Sequence, residues 1–291
     1  MSSENLIYID GQYYPKSEAK ISVYDHGFLY GDGIFEGIRV YNNHVFKLEE
    51  HLNRLYDSAK SIALSIPLSK AEFKEAILET LQKNSYKDAY LRVVVTRGYG
   101  DLGLNPTKCT KASVVIIADY IAPLYEGISA KAIVAATRRN NPDSLDPQIK
   151  SLNYLNNILA KMEANRAGVD EAIMLNQQGM VCEGTSDNLF VVKNGVLITP
   201  PLSDGALGGI TRGAVLELAA QLRIPVEERS ITVHEIMTSD EAFFTGTAAE
   251  IGALVEVNGQ KIGDGKPGPV WKVLTAAFKD IREDGTPVNG Y

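Results

Sequence analysis

The chain has 291 residues, of which 45% are hydrophobic and 22% charged, so it has the composition of a globular protein long enough for two domains. This composition excludes disordered and fibrous proteins. The net charge of -7 argues against a general nucleic-acid-binding protein, because no basic surface is present to neutralise phosphates. Cys109 and Cys182 lack disulfide-framework or zinc spacing, which indicates reduced thiols and a cytoplasmic protein. Signal-peptide and membrane-span patterns are absent from the sequence, and we expect no membrane partner.

Turn signals and alternating apolar residues predict that the N-terminal part is a small α+β domain over residues 1–120. Predicted strands cover residues 6–9, 12–14, 37–41, 45–48, 90–96 and 113–118. Helical periodicity predicts two helices, over 48–63 and 70–82, and Ser69 has the residue type of an N-cap for the second.

Proline and glycine interrupt the periodicity near Pro123 and Gly127, which predicts an interdomain connection over 121–128 and a larger domain over 129–291. Strands of this domain are predicted over 131–137, 171–176, 180–183, 188–192 and 196–199, and helices over 152–166, 212–221, 234–237 and 269–281. Strands and helices mix without regular βαβ alternation, so we expect a mixed sheet rather than a doubly wound parallel sheet.

Lys150 and Glu183 are candidate catalytic groups. Lys150 directly precedes a predicted helix, whose dipole disfavours an ammonium, and burial would lower its pKa further toward a nucleophilic amine. Glu183 ends an apolar strand, where a carboxylate is either near the surface or paired. Each residue alone is more often structural, because Lys150 is one of 18 lysines. Together they provide what a pyridoxal phosphate enzyme needs, a Schiff-base lysine and a carboxylate for the pyridinium nitrogen.

Two glycine-containing segments are candidate anion sites. Residues 203–213 form a Gly-rich loop that leads into a helix, where free amides and the Thr211 hydroxyl would bind phosphate, although a helix-capping turn fits the pattern equally well. Residues 243–251 end a strand in small residues that let a ligand approach Thr247 and the Ala248 amide. Residues 30–37 lack the helix that a dinucleotide fingerprint requires, and the histidines have no metal-ligand spacing, so no metal is expected.

Several motifs in a fixed order resemble the fold type IV pyridoxal phosphate transaminases, and within them the branched-chain aminotransferases. These motifs lie at Tyr30–Arg39, His51–Leu55, Lys150–Tyr154, Glu183–Phe190, Gly209–Arg212 and Gly246–Glu250. The resemblance covers nearly the whole chain. It implies a two-domain α+β fold of the D-amino acid aminotransferase type, with a small N-terminal α+β domain and a larger C-terminal mixed α/β domain that is barrel-like.

The resemblance also implies the roles of the cofactor-binding residues. Lys150 would form the Schiff base with pyridoxal 5'-phosphate and shuttle the proton, and Glu183 would keep the pyridine nitrogen protonated. Tyr154 would bind the ring O3'. The implied phosphate site consists of Arg54, Gly209, Ile210, Thr211, Gly246 and Thr247.

The activity implied by the resemblance is amino transfer between leucine, isoleucine or valine and 2-oxoglutarate by a ping-pong mechanism, with amino acids and 2-oxo acids as partners and a homodimer or larger homo-oligomer. Arg92 lies two residues after Tyr90, hence on the same strand face, and is the candidate for the glutamate γ-carboxylate. The implied substrate pocket contains Tyr30, Phe35, Gly37, Arg39, Tyr90, Arg92, Tyr125, Thr247 and Ala248. For the three tyrosines, packing at an interface is the alternative.

Other functions on this scaffold remain as alternatives. D-amino acid transaminases would share Lys150 and the Arg97-Gly98 pair, but the arginine and histidine that follow the pair in those relatives are absent here. Arg97 itself leaves a D-amino acid or (R)-amine substrate open. Aminodeoxychorismate lyase fits the pocket residues less well. A non-catalytic carrier of the cofactor, or a structural component of an oligomer, is disfavoured because Lys150, Tyr154 and Glu183 are all present.

Overall fold

The computed structural model of the chain describes residues 4–288, which form two compact units. The first unit contains residues 4–121, 149–153 and 282–288, and the second contains residues 122–148 and 154–281. Lys150 therefore belongs to the first unit, although it follows the predicted connection over 121–128. The division into independently folding domains over 1–120 and 129–291 stays a prediction.

The first unit is built on an antiparallel sheet with the strand order β16-β4-β3-β5-β6-β1-β2. Its strands are β1 (Leu6–Ile9), β2 (Gln12–Pro15), β3 (Gly33–Tyr41), β4 (His44–Val45), β5 (Ala89–Thr96), β6 (Ser113–Asp119) and β16 (Thr286–Pro287). Its helices are α1 (His26–Tyr30), α2 (Leu48–Ser61) and α3 (Lys70–Asn84), with a 3-10 turn at Pro106–Lys108. Helix α2 packs on β3, and α3 packs on β1 and β6.

The helices of the first unit follow their apolar spacing. Leu48, Leu52, Leu55 and Ala59 are buried at intervals of three or four residues, so one face of α2 packs into the core. Ser69 is the N-cap of α3, as predicted. Its hydroxyl accepts from the amide three residues on, and the glutamate at that position accepts in return from the Ser69 amide, which forms a capping box.

The second unit is built on a mixed sheet with the strand order β12-β11-β10-β13-β14-β7-β8-β9, and β15 pairs with β14. Its strands are β7 (Ala130–Val134), β8 (Glu171–Leu175), β9 (Val181–Glu183), β10 (Asn188–Lys193), β11 (Val196–Thr199), β12 (Val226–Glu228), β13 (Glu241–Gly246), β14 (Glu250–Val257) and β15 (Gln260–Lys261). Its helices are α4 (Leu155–Ala167), α5 (Ile210–Gln221), α6 (Val233–Met237) and α7 (Pro269–Ile281), with a 3-10 turn at Leu202–Asp204. The sheet contains both parallel and antiparallel pairs without a doubly wound order, in agreement with the sequence.

Several element boundaries differ from the predictions, and three of the differences affect the candidate site. Helix α4 begins at Leu155, three residues after the predicted start, so the prediction that Lys150 lies at a helix N-terminus is wrong. Helix α5 begins at Ile210, two residues earlier than predicted, and β3 begins at Gly33, four residues earlier. The elements that were not predicted are helix α1 and strands β12, β14, β15 and β16. Across residues 4–288, none of the helices combines the length and apolar character needed to cross a membrane.

Candidate active site

In the first unit, the backbone of Lys150 is bonded to the start of β3. The Phe35 amide donates to the Lys150 carbonyl at 2.9 Å, and the Leu152 amide donates to the Gly33 carbonyl at 2.9 Å. On the other side, the Lys150 amide donates to Ser58 Oγ at 3.2 Å. The segment is therefore a short antiparallel extension of the sheet, and these bonds rather than a helix end position the lysine.

The Phe35 ring contacts two cationic side chains. Lys150 Nζ lies 4.7 Å from the ring centroid, and the guanidinium carbon of Arg92 lies 4.6 Å from it. Both distances are in the range of cation-π contacts. Arg92 Nη2 also donates to the Tyr90 hydroxyl at 3.4 Å, and both residues alternate with the buried Leu91, so they share one face of β5. An amine and a guanidinium thus lie over one apolar ring, and the guanidinium also bonds the Tyr90 hydroxyl.

Gly37 lies under the Tyr90 hydroxyl. A Cβ at Gly37 would lie 2.0 Å from Tyr90 Oη, so the close approach requires glycine. The Arg39 guanidinium lies 5.7 Å from the Tyr90 ring and donates to the Ile121 carbonyl. Phe35, Gly37 and Arg39 alternate along β3, and the register pairs Gly37 with Arg92 and Arg39 with Tyr90. The structure therefore brings these predicted substrate residues together with Lys150.

Glu36 projects from the opposite face of β3 and is only 1% exposed. Its Oε1 accepts from Arg54 Nε at 2.7 Å, and its Oε2 accepts from Arg54 Nη2 at 2.8 Å and from His51 Nδ1 at 2.7 Å. Burial alone would raise the pKa of Glu36, but Arg54 and His51 outweigh it and lower the pKa to about 2. Burial lowers the pKa of His51. A neutral His51 therefore donates its Nδ1 proton to an ionised Glu36.

Tyr30 and Arg97, also in the first unit, form hydrogen bonds with other segments of that unit. The Tyr30 hydroxyl accepts from the Gly103 amide at 2.9 Å. The Tyr30 and His26 rings pack edge to face, with their centroids 5.1 Å apart. Arg97 binds both carboxylate oxygens of Asp32, at 2.9 and 3.0 Å. It also donates to the carbonyls of residues 62 and 63 at 2.8 and 2.7 Å. Tyr30 thus holds a loop, and Arg97 joins three segments of the first unit.

In the second unit, Glu183 ends β9 and is 4% exposed. Its Oε1 accepts from Arg139 Nη2 at 2.6 Å, and its Oε2 accepts from Asn188 Nδ2 and from the Leu207 amide, each at 3.0 Å. Arg139 is itself buried and donates from Nε to the Gly205 carbonyl at 3.2 Å. An arginine and two further N–H donors thus donate to the two oxygens of this buried carboxylate.

Helix α5 presents its first turn without a side-chain cap. Gly209 is the N-cap residue, and Ile210 and Thr211 are the first two helical residues. A Cβ at Gly209 would lie 1.9 Å from Asn188 Oδ1, so only glycine fits there. The amides of the first turn have no partner within the helix, and the helix dipole favours an anion beside them.

The turn between β13 and β14 contains Thr247 and Ala248 and begins after Gly246. A Cβ at Gly246 would lie 2.3 Å from Asp187 Oδ1, which again requires glycine. The Ala248 carbonyl accepts from the Leu124 amide at 2.9 Å and so ties the turn to the segment before β7. The structure therefore places the backbone of this turn on rigid strand ends.

Tyr125 is packed inside the second unit. Its ring stacks on Phe244 at 6.3 Å and lies against Gly252, where a Cβ would be 2.2 Å from it. Its hydroxyl donates to Asp187 Oδ2 at 3.3 Å. Burial and the nearby Glu171 raise the pKa of Asp187 to about 7.

Tyr154 is the N-cap residue of α4, and its carbonyl accepts from the Ile158 amide at 2.9 Å. The substrate role of Tyr125 and the cofactor role of Tyr154 stay predictions.

Sequence reasoning missed four residues that orient the predicted ones: Glu36, His51, Arg139 and Asn188. The sequence could have indicated the contacts of Glu36. A charge within the apolar run of β3 requires a buried partner, and residues 51 and 54 share one face of a helix, where they could supply it. Arg139 lies in a segment without periodicity, and its pairing with Glu183 depends on tertiary structure alone.

The family model for amino-transferase class IV matches residues 33–257. The chain belongs to the class IV aminotransferase family. It is 52% identical over 276 residues to a putative branched-chain-amino-acid aminotransferase of Methanocaldococcus jannaschii, covering 95% of this chain and 96% of the relative. These matches confirm the predicted resemblance.

Two solved structures of branched-chain aminotransferases are similar to this aminotransferase. That of Thermoproteus uzoniensis with norvaline has a TM-score of 0.93 and 38% identity, covering 97% of this chain and 99% of that one. That of Thermobaculum terrenum in its PLP form has a TM-score of 0.89 and 30% identity, covering 100% of each chain. The predicted fold type IV class is confirmed.

Pyridoxal 5'-phosphate is the cofactor of this aminotransferase, as predicted. The described residues include the chemical groups that it needs. They are a lysine amine beside an aromatic ring, a buried carboxylate bonded to an arginine, and a helix start at which glycine leaves the backbone accessible.

Proposed function

We propose that this aminotransferase transfers the amino group between a branched-chain L-amino acid and 2-oxoglutarate by a ping-pong mechanism, in which each substrate binds and leaves in turn. The observation that carries the proposal is the pair of cations on the Phe35 ring, since Lys150 Nζ and the Arg92 guanidinium lie 4.7 and 4.6 Å from its centroid. An apolar wall beside a guanidinium suits a pocket that takes an aliphatic side chain and a carboxylate side chain alternately.

Lys150 is proposed to attach the cofactor covalently and to carry the proton to and from the substrate α-carbon. Bound pyridoxal phosphate supplies the electron sink for breaking the α-carbon bond to hydrogen. Glu183 is proposed to bind the ring nitrogen, and its bond to Arg139 keeps it the acceptor that a protonated nitrogen requires. Tyr154 is proposed to hydrogen-bond the ring O3'.

The proposed phosphate ligands combine charge with backbone donors. Arg54 supplies the guanidinium, and its bond to Glu36 fixes its orientation. The remaining proposed ligands are Gly209, Ile210 and Thr211 at the start of α5, and Gly246 and Thr247 at the β13–β14 turn. Helix starts and turns of small residues suit phosphate because their amides can approach it closely.

The substrate carboxylates are proposed to bind at separate groups. The α-carboxylate would be bound by the Tyr90 hydroxyl and by the Thr247 and Ala248 amides, and the glutamate γ-carboxylate by Arg92. The proposed walls are Phe35, Gly37, Arg39, Tyr30 and Tyr125. Discrimination then depends on Arg92, because only glutamate presents a second carboxylate to it.

No observation in residues 4–288 favours a D-amino acid or (R)-amine substrate. Arg97 is the residue that left this alternative open, and its guanidinium makes four hydrogen bonds within the first unit. The test is the rate of the half-reaction with L-leucine, L-glutamate, D-alanine and (R)-1-phenylethylamine. We expect the cofactor absorbance to change fastest with the two L-amino acids. A faster change with D-alanine or the amine would refute the proposed substrate class.

The attachment of the cofactor is tested by its visible absorption band. We expect Lys150→Ala to lose this band, whereas Lys87→Ala, at an exposed lysine of the same unit, retains it. A band that persists unchanged in Lys150→Ala would contradict the assignment.

We also propose that the enzyme is a homodimer or larger homo-oligomer. A monomer mass measured by light scattering on the holoenzyme would contradict it.

A further inference from the structure

Three consecutive residues of β3 lie on alternate faces of the strand, and the two faces contact different groups. Phe35 and Gly37 face the cluster that contains Lys150 and Arg92, whereas Glu36 projects from the other face toward α2. Alternation along the strand makes this separation unavoidable. The strand that forms the proposed substrate wall therefore also holds the carboxylate that binds Arg54.

The contact between Glu36 and Arg54 fixes the plane of the guanidinium. Nε and Nη2 each donate to one carboxylate oxygen, at 2.7 and 2.8 Å, which is a bidentate pairing. Such a pairing restricts rotation of the guanidinium more than a single bond does. His51, one turn before Arg54 on α2, donates to Oε2 at 2.7 Å and restricts the carboxylate in the same way.

Glu36 is buried on the face of β3 opposite Phe35, and its oxygens accept from Arg54 and His51, so it is not a candidate acid or base for the reaction. A buried carboxylate is a costly group, and an apolar side chain of similar volume would often serve stability equally well. Its presence between Phe35 and Gly37 in a fully buried strand is explained if the orientation of Arg54 matters. Residues that orient a ligand-binding side chain influence ligand affinity, as they do at metal sites.

We infer that Glu36 and His51 are positioning residues, which set the affinity of the enzyme for the phosphate group of its cofactor by fixing the guanidinium of Arg54. This inference rests on the proposed binding of phosphate by Arg54. It predicts an effect that depends on the phosphate and not on the pyridine ring. A purely structural role of Glu36 would affect both parts of the cofactor alike.

The test compares pyridoxal phosphate with pyridoxal, which lacks the phosphate, by titrating each into the full-length enzyme stripped of cofactor. We expect Glu36→Gln to weaken pyridoxal phosphate binding by about 10- to 100-fold, the range seen when an orienting partner is lost, and pyridoxal binding by less than about 3-fold. The control is Asp32→Asn, which removes a bidentate carboxylate partner of Arg97 in the same unit. It should leave both affinities unchanged.

His51 provides a second pair of variants if Glu36→Gln does not fold. We expect His51→Asn, which retains an N–H donor, to preserve the preference for pyridoxal phosphate over pyridoxal, and His51→Leu to reduce it. Equal losses of both ligands in Glu36→Gln, or no loss in His51→Leu, would overturn the inference.

Arg54→Ala separates this failure from a failure of the proposed phosphate site. If Arg54→Ala leaves the preference for pyridoxal phosphate unchanged, Arg54 does not bind the phosphate, and both the proposed site and the inference are wrong. If Arg54→Ala reduces the preference but Glu36→Gln and His51→Leu do not, only the positioning role is wrong. If all three variants reduce the preference for pyridoxal phosphate over pyridoxal, the result supports both the proposed phosphate site and the positioning role.

Discussion

Asp187 should destabilise the folded enzyme at alkaline pH, so replacing it with asparagine should increase stability. The side chain is 2% exposed, and its Oδ2 accepts from the Tyr125 hydroxyl at 3.3 Å. Burial, together with the charge of Glu171, raises its pKa from 3.8 to about 7. Asparagine keeps an acceptor for Tyr125 and removes the buried charge.

The size of the effect follows from the two pKa values. Because the folded-state pKa of Asp187 is raised, its protonated form contributes stability that is fully present below the unfolded pKa near 3.8. This contribution is lost as the pH rises from there through the folded pKa of about 7. At roughly 1.4 kcal/mol per pKa unit, the raised pKa of Asp187 lowers the free energy of unfolding by about 2 kcal/mol at pH 5, where the folded carboxyl is still protonated but the unfolded one is ionised. At pH 8, where both are ionised, the loss is about 4 kcal/mol. The difference in unfolding free energy between Asp187→Asn and the parent should therefore grow by about 2 to 3 kcal/mol between these pH values.

Urea unfolding of both proteins at pH 5 and pH 8 measures this difference directly. Asp240→Asn is the matched control, because the Asp240 carboxylate is largely exposed and accepts from the Asn194 amide at 2.7 Å. That bond lowers the pKa of Asp240, so its loss should give no gain that grows with pH. If Asp187→Asn is destabilised equally at both pH values, Asp187 does not lower the stability of the folded enzyme as the pH rises.

Three further predictions test other contacts. Arg92→Gln should lower kcat/KM for L-glutamate by about 10- to 100-fold and leave L-leucine nearly unaffected, and equal losses would remove Arg92 from γ-carboxylate recognition. Arg139→Ala should lower the free energy of unfolding by about 3 to 5 kcal/mol because it leaves Glu183 buried without its arginine, whereas Arg229→Ala, with exposed partners, should cost less than about 1 kcal/mol. Similar losses in the two variants would contradict the buried pair. Gly209→Ala should weaken cofactor binding measured by equilibrium dialysis, since its Cβ would lie 1.9 Å from a side-chain oxygen, and unchanged affinity would show that the helix start is not used.

The fold was predictable where local sequence decides the structure. Ser69 has the residue type of an N-cap and is the N-cap of α3. Strands were predicted on both sides of residues 42 and 43, and Asn42 and Asn43 form the turn between them with positive φ angles. Strand β3 was predicted four residues too short, because it is buried on both faces and lacks alternation. Strand β14 was missed for a tertiary reason, since it pairs with β13 on one side and with the distant β7 on the other.

The candidate site was predictable by residue type but not by contact. The motifs around Lys150 and Glu183 indicated the cofactor, yet the setting predicted for Lys150 was a helix start, whereas its backbone extends the sheet. Sequence spacing could not pair Arg139 with Glu183, because these residues come together only through the folding of the second unit. Glu36 lies within the Tyr30–Arg39 motif, but no role was predicted for it, because that role depends on its contacts with Arg54 and His51 of α2.

The other proposed roles in the site depend on the attachment of pyridoxal phosphate to Lys150, and chemical trapping identifies the attached residue. Reduction of the holoenzyme with borohydride fixes the cofactor to its lysine, and mass mapping of the peptides then identifies the residue. We predict a phosphopyridoxyl group on the peptide that contains Lys150, with cleavage by trypsin blocked at that lysine. The same group on any of the other 17 lysines, with Lys150 unmodified, would contradict the account.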